Sequence, residues 1–363
     1  MPNDETDDAT EDLPEATAGV DTEPSNAAET PDTPAEGSPE VSSGISSAVE
    51  VTGLSLVISA RRRTHRWRPL RPRPEQITVA DDVSFSIKAG EAVGYVGSAG
   101  SGKSTLVDLI SGVVAPTGGT IRTCGLEPEA ERGQLAHRIG VVSGHRSQLW
   151  PNLSLDDSLR ILARAHHLPE ARWLARRAEL VDRLELAAFV TRTVDQLSPS
   201  RRMRGELAAA LLHEPDLLIL DEPTRGLDVV NKEQLRTFLR QENRLHGRTL
   251  LLATGDLADV EQICRRVLVV DHGRLVHDGD LPGLISRAGI QRTLVVDLTE
   301  AGRLDDVPGA KLIGVEAGGL RQRLHFTPGN IPAGRILADV AARSGIRHLT
   351  LEEPDLEDLI RRL

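Results

Sequence analysis

Residues 97–105 read Gly-Ser-Ala-Gly-Ser-Gly-Lys-Ser-Thr, and no other stretch limits the possible folds so sharply. From Gly97 to Ser104 the spacing is G-x-x-x-x-G-K-[ST], a pattern with a physical meaning only between a buried strand and a helix. Both are predicted. Ala92 to Val96 is short, apolar and valine-rich, as a buried strand of a parallel sheet is. Leu106, Leu109 and Ile110 then fall at i, i+3 and i+4, and Gly112 stands where a helix C-terminal glycine belongs.

The chemistry follows from that arrangement. Gly97, Gly100 and Gly102 have no Cβ, so with Ser98, Ala99 and Ser101 the chain can wrap with its N–H groups inward. Those donors and the positive end of the next helix form a cradle for phosphate. Lys103 is placed to reach β- and γ-phosphates, the Ser104 hydroxyl to bind Mg²⁺, and Thr105 to contact an α-phosphate.

A nucleotide site of this kind needs a metal carboxylate and a group that activates water. Leu217-Leu218-Ile219-Leu220-Asp221-Glu222 offers both, at the C-terminal end of an apolar strand where open α/β sheets bind ligands. Asp221 is the candidate Mg²⁺ ligand and Glu222 the candidate general base.

Composition is uneven along the 363 residues. Residues 1–50 hold 14 Asp or Glu and no Lys or Arg, and are expected to be a disordered acidic tail. The other 313 residues hold 40 acids against 43 bases, so they carry no broad basic field and nucleic acid is not an expected partner. Arg61 to Pro74, with seven Arg, three Pro and Trp67, is predicted as an insertion between two edge strands. Two cysteines, Cys124 and Cys264, are too few for a disulfide framework. The N-terminus lacks a signal-peptide pattern, and no run approaches a membrane span.

Alternating strands and helices predict an α/β fold around a mainly parallel, doubly wound sheet. The strands are expected at Val51–Ile58, Val83–Ile87, Ile121–Cys124, Ile139–Val142, Leu217–Leu220, Leu250–Ala253 and Val267–Val270, with a hairpin turn at His272-Gly273. Residues 150–205 read as an all-helical insert. After residue 288 three strands, a helix, a strand and a final helix at Leu356–Leu363 predict a small α+β appendage.

At this point the chain resembles the ATP-binding subunits of ABC transporters, and within them the ATPases of ABC-2 type exporters. Gly97–Thr105 matches Walker A, Leu217–Glu222 Walker B, and Gly226-Leu227-Asp228 the D-loop. Arg146-Ser147-Gln148-Leu149-Trp150, Arg202-Met203-Arg204, Glu206 to His213, Leu227 to Lys232 and Glu352 to Ile360 carry the narrower likeness. The resemblance covers roughly Val51 to Leu363. It implies a P-loop NTPase core at 51–287 with an α-helical subdomain, ATP and Mg²⁺ as cofactors, and a dimer with a second ATP-binding subunit, identical or not. It also implies a separate membrane-spanning permease that would hold the chain at the cytoplasmic face of the membrane.

Several positions depart from that family's pattern. Its signature, usually L-S-G-G-Q, reads Leu197-Ser198-Pro199-Ser200-Arg201, leaving Ser198, Ser200 and Asp228 as the expected dimer contacts. The Q-loop glutamine position is His145, with Gln148 three residues late, and the switch-histidine position is Gly255. Ile58 stands where an adenine-stacking aromatic is usual. Nucleotide binding is therefore expected, with hydrolysis slowed. Two other readings stay open: an ATP-dependent clamp paired with an active paralogue, and a polysaccharide-exporter ATPase.

Overall fold

The computed structural model describes residues 47–60, 75–98, 100–144, 146–287, 292–327, 333–352 and 359. The tail up to residue 46, the Arg-rich segment 61–74, Ala99, His145 and all of the expected final helix but Leu359 lie outside them.

In chain order, β1 (Ser47–Ala60) and β2 (Glu75–Lys88) precede β3 (Ala92–Gly97), which runs into α1 (Lys103–Ile110). Then come β4 (Gly118–Thr123), α2 (Arg132–Ala136) and β5 (Ile139–Ser143). The helical insert follows as α3 (Leu155–Ala165), α4 (Glu170–Arg183) and α5 (Pro199–Leu211). The core closes with β6 (Leu217–Asp221), α6 (Val229–His246), β7 (Thr249–Thr254), α7 (Leu257–Ile263), β8 (Arg266–Asp271), β9 (Arg274–Gly279) and α8 (Leu281–Arg287). Last come β10 (Arg292–Leu298), β11 (Ala310–Glu316), β12 (Arg321–Phe326), α9 (Ala333–Ala341) and β13 (Ile346–Glu352).

The central sheet has the order β5-β6-β7-β3-β8-β9, parallel except for the β8–β9 hairpin. Its middle strands are apolar without alternation because both faces are covered. Leu218 and Leu220 face a cluster built by the insert, with Leu159, Trp173, Leu180 and Leu207. Leu217 and Ile219 face the opposite cluster, with Leu106, Ile110 and the inner residues of β1, β2 and β4. Helix α5 belongs to both parts. Its first turns form the insert, and Leu207 to Leu211 are buried against the sheet.

The N-terminal strands differ from the sequence reading. β1 starts at Ser47, four residues before Val51, because Val49 and Val51 are both buried while Glu50 points outward. β1 is the middle strand of an antiparallel sheet of order β2-β1-β4, not an edge strand, pairing Val51 with Phe85 on one side and Ile121 on the other. The β1–β2 pair runs out to Ala60 and Glu75, the residues that flank segment 61–74.

After α8 the antiparallel sheet β11-β12-β10-β13 has a core of its own, with Leu294, Val296, Leu324 and Phe326 under Ile336 and Val340 of α9. Among the described residues no helix is long and apolar enough to cross a membrane.

Candidate functional site

Strand β3 is buried through Gly97 and delivers the loop at the C-terminal end of the sheet. Only glycine fits at 97, since a Cβ there would stand 2.3 Å from Ser101 Oγ and 2.7 Å from the Val270 carbonyl oxygen. Gly102 has φ +94°, a left-handed conformation that turns the loop into α1. The Ser101 N–H donates to the Ser98 carbonyl at 3.1 Å, which closes the turn. Beyond it, Gly112 (φ +73°) ends α1: its N–H donates to Leu109 and that of Val113 to Asp108, which terminates the helix with a left-handed glycine.

Lys103 lies across the loop, its Nζ donating to the carbonyls of Gly97 at 2.7 Å and Ser98 at 3.1 Å. Burial pulls its pKa below the usual lysine value, while the carboxylates of Glu222 and Asp221 oppose that pull. Lys103, Asp221 and Glu222, far apart in sequence, are therefore near enough for their charges to interact.

Asp221 ends β6 between β5 and β7, in register with Ser143 and Ala253. It is 2% exposed, and its Oδ1 is buried with no hydrogen-bond partner among the described residues. A buried carboxylate oxygen without a donor is costly unless something completes it. Asp221 and Ser104 line one cavity of about 400 Å³, with Asp108, Ser143, Arg146, Ser147 and Gln148. A hydroxyl and an orphaned carboxylate oxygen are hard oxygen donors of the kind Mg²⁺ takes, so these residues fit that ion.

Glu222 is left-handed at φ +50°, and its N–H donates to the Ala253 carbonyl at 2.8 Å. Its Oε1 lies 3.6 Å from where a Cβ on Gly255 would stand, so the residue at the switch position borders the candidate base. The segment after Gly255 is anchored by a buried network that the sequence reading missed. Asp259 accepts from Thr224 Oγ1 at 2.5 Å and Arg236 Nε at 2.7 Å, and Asp256 accepts from Lys232 Nζ at 2.8 Å. Burial raises the Asp259 pKa, with Asp256 adding to the rise and Thr224 and Arg236 working against it.

The remaining predicted residues are not gathered there. Ser198 caps α5, its Oγ accepting from the Arg201 N–H at 3.4 Å and lying 3.3 Å from Ser200 Oγ. The Arg201 guanidinium sits over the Phe189 ring, 5.5 Å from its centroid. Asp228 caps α6 by accepting from the Asn231 N–H at 2.9 Å and Nδ2 at 2.6 Å, bonds that hold its carboxyl below the usual range. Ser200 lines a different cavity, about 570 Å³, between α5 and α6. Ala99 and His145 cannot be placed, as both lie outside the described residues. Gln148 lines the Asp221 cavity, but its Nε2 donates to the Val141 carbonyl. Ile58 is 42% exposed.

A glycine cradle at the mouth of a parallel sheet, a lysine folded over it and two acids at the end of the neighbouring strand define a P-loop ATPase. The ABC transporter family profile matches residues 80–225. A Nod factor export ATP-binding protein I of Cupriavidus pinatubonensis is 32% identical over 302 residues, covering 82% of this chain and 89% of that protein. A daunorubicin resistance ATP-binding protein of Streptomyces coeruleorubidus is 36% identical over 224 residues, 62% of this chain and 70% of that one. Among solved structures, an ATP-binding subunit of an ABC transporter superposes with TM-score 0.56 at 26% identity, over 67% of this chain and 93% of that one. The chain belongs to the ABC transporter family, as an ATP-binding, ATP-hydrolysing subunit.

Proposed function

We propose that this chain is the ATPase of an exporter, paired with a second ATP-binding subunit and driving a separate membrane-spanning permease from the cytoplasmic face of the membrane. The export name carried by its Nod factor relatives supports the direction of transport. The observation that carries the residue assignment is Asp221, a buried carboxylate whose free oxygen shares a cavity with the Ser104 hydroxyl.

In this reading Gly97 to Thr105 hold the nucleotide phosphates. Lys103 leaves the two carbonyls it now bridges and neutralises charge on the β- and γ-phosphates. Ser104 and Asp221 hold Mg²⁺, which would screen the same phosphates. Glu222 takes a proton from the attacking water and so favours its attack on the γ-phosphate. Ser198, Ser200 and Asp228 face the nucleotide of the other subunit. With Gly255 in the switch position no imidazole helps to orient the water, so turnover is slow.

Two variants test this. Lys103→Ala abolishes nucleotide binding measured by calorimetry, and retained tight binding removes the phosphate-loop assignment. Glu222→Gln binds ATP as the parent does but loses steady-state phosphate release. Equal turnover in the two proteins removes Glu222 as the base.

A further inference from the structure

Between β5 and α3 the chain passes through residues 146–150, an irregular segment fastened at several points. At its start, the Arg146 guanidinium pairs with Asp108 of α1 at 2.9 Å. At its end, Leu149 packs toward Gly205 of α5, where a Cβ would meet Leu155 Cδ1 at 2.9 Å and Leu149 Cδ1 at 3.1 Å. Glycine at 205 is therefore what lets α5 close on this segment.

In the middle stands Glu206. It is 5% exposed in a helix whose following residues, Leu207 to Leu211, are all apolar and buried. One carboxylate oxygen accepts from the Ser147 hydroxyl and the other from the Gln148 N–H, the latter at 3.1 Å. Among the described residues the cation paired with it, Arg202, is 3.8 Å away and partly exposed. Burial raises the Glu206 pKa, with the bonds from Ser147 and Gln148 and the charge of Arg202 working against the rise. A buried carboxylate without a close ion pair is expensive, and an apolar residue would fill the space at less cost. What an apolar residue cannot do is grip a hydroxyl and a backbone N–H of one loop.

That loop has a particular position. Ser147 and Gln148 line the cavity that holds Ser104 and Asp221. Helix α5, which presents Glu206, begins two turns earlier at Ser198 and carries Ser200. Asp108, the anchor of Arg146, lies on α1, the helix that starts with Lys103 and Ser104. The chain of contacts Asp108–Arg146, then Ser147/Gln148–Glu206, thus joins the helix behind the phosphate loop to the helix that bears the signature residues.

We propose that Glu206 is a positioning residue for ATP hydrolysis. It locks the 146–148 segment to α5, so that the wall of the nucleotide cavity and the Ser198–Ser200 end of α5 move as one body. This rests on the ATPase reading given above, and the test separates the two.

Glu206→Gln keeps the shape but replaces one acceptor by a donor; Glu206→Ala removes both acceptors. Steady-state kinetics on the full chain are expected to show kcat down about tenfold for Glu206→Gln and further for Glu206→Ala, with KM for ATP within twofold of the parent. Ser147→Ala combined with Glu206→Gln adds little to Glu206→Gln alone, because both break one contact. The second readout needs no turnover: amide hydrogen exchange with and without Mg-ATP. In the parent, nucleotide changes the exchange of residues 146–150 and 199–206 together. In Glu206→Ala the response is confined to 146–150. Unchanged kcat, a parallel rise in KM, additive effects with Ser147→Ala, or an α5 response that persists in Glu206→Ala would each overturn the proposal. If Glu222→Gln turns over like the parent, the ATPase assignment fails, and the exchange experiment alone decides the link.

Discussion

Placing histidine at residue 255 is the most informative single change to the site. Gly255 is exposed and its φ lies outside the left-handed region, so a side chain meets no backbone strain. The Cβ would stand 3.6 Å from Glu222 Oε1, ordinary van der Waals contact, which brings an imidazole at this position beside the carboxylate. A protonated ring about 4 Å from a carboxylate interacts by about 4 kcal/mol at an effective dielectric constant of about 20. Solvent at this exposed position reduces that to about 1 kcal/mol. Spent on holding Glu222 and its water, 1 kcal/mol is a rate gain of about fivefold. A ring that also relays a proton can add up to about 10²-fold. The assay is steady-state phosphate release at saturating Mg-ATP, for Gly255→His alone and in the Glu222→Gln background. The expected result is a gain in kcat of about fivefold or more that disappears when Glu222 is replaced. No gain, or the same gain without the carboxylate, refutes the assignment of Glu222 and Gly255 to one catalytic unit.

Three further outcomes follow from the packing. Gly97→Ala drives a methyl into the Val270 carbonyl oxygen at 2.7 Å, and since backbone cannot step aside, nucleotide affinity falls at least tenfold and stability by about 1–3 kcal/mol, read by calorimetry and thermal melts. Arg236→Ala leaves the fully buried Asp259 without its cation, at a cost of about 3–5 kcal/mol in urea unfolding; a loss under about 1 kcal/mol contradicts the network. His213, stacked 3.9 Å from His166 and pushed down to about 4 by burial and by His166, has a folded pKa below its unfolded value of 6.5. Its contribution is therefore complete above pH 6.5 and lost as pH falls toward 4, up to about 3 kcal/mol. In His213→Phe the acid limb of the stability–pH curve flattens across that window.

What could be read from the sequence was what is encoded locally. Ala92 to Ile110 contains its own strand, turn and helix, so loop and fold were visible together. Leu217 to Glu222 could be read because a strand buried on both faces needs no partner to declare itself. The antiparallel sheet was harder, because its pairings, such as Val51 with Ile121, join distant segments whose alternation is broken by bulges. The sequence around Glu206 carries the family likeness but not the residue's contacts, since its partners Ser147 and Gln148 lie 59 and 58 residues away. The stacking of His166 on His213 was hidden for the same reason: it joins the end of α3 to the end of α5.

Glu222 sits in a backbone conformation that a residue with a Cβ adopts at a cost of order 1 kcal/mol or more. Glycine or asparagine would occupy φ +50° with less strain, and either would delete the carboxylate. A population of variants selected only for heat resistance should therefore enrich Glu222→Gly and Glu222→Asn, recording the loss of the carboxylate proposed as the base as an improvement. Under the proposed role of Glu222 the most stable sequence and the working sequence diverge at one residue, and a screen that scores one without the other will choose wrongly there.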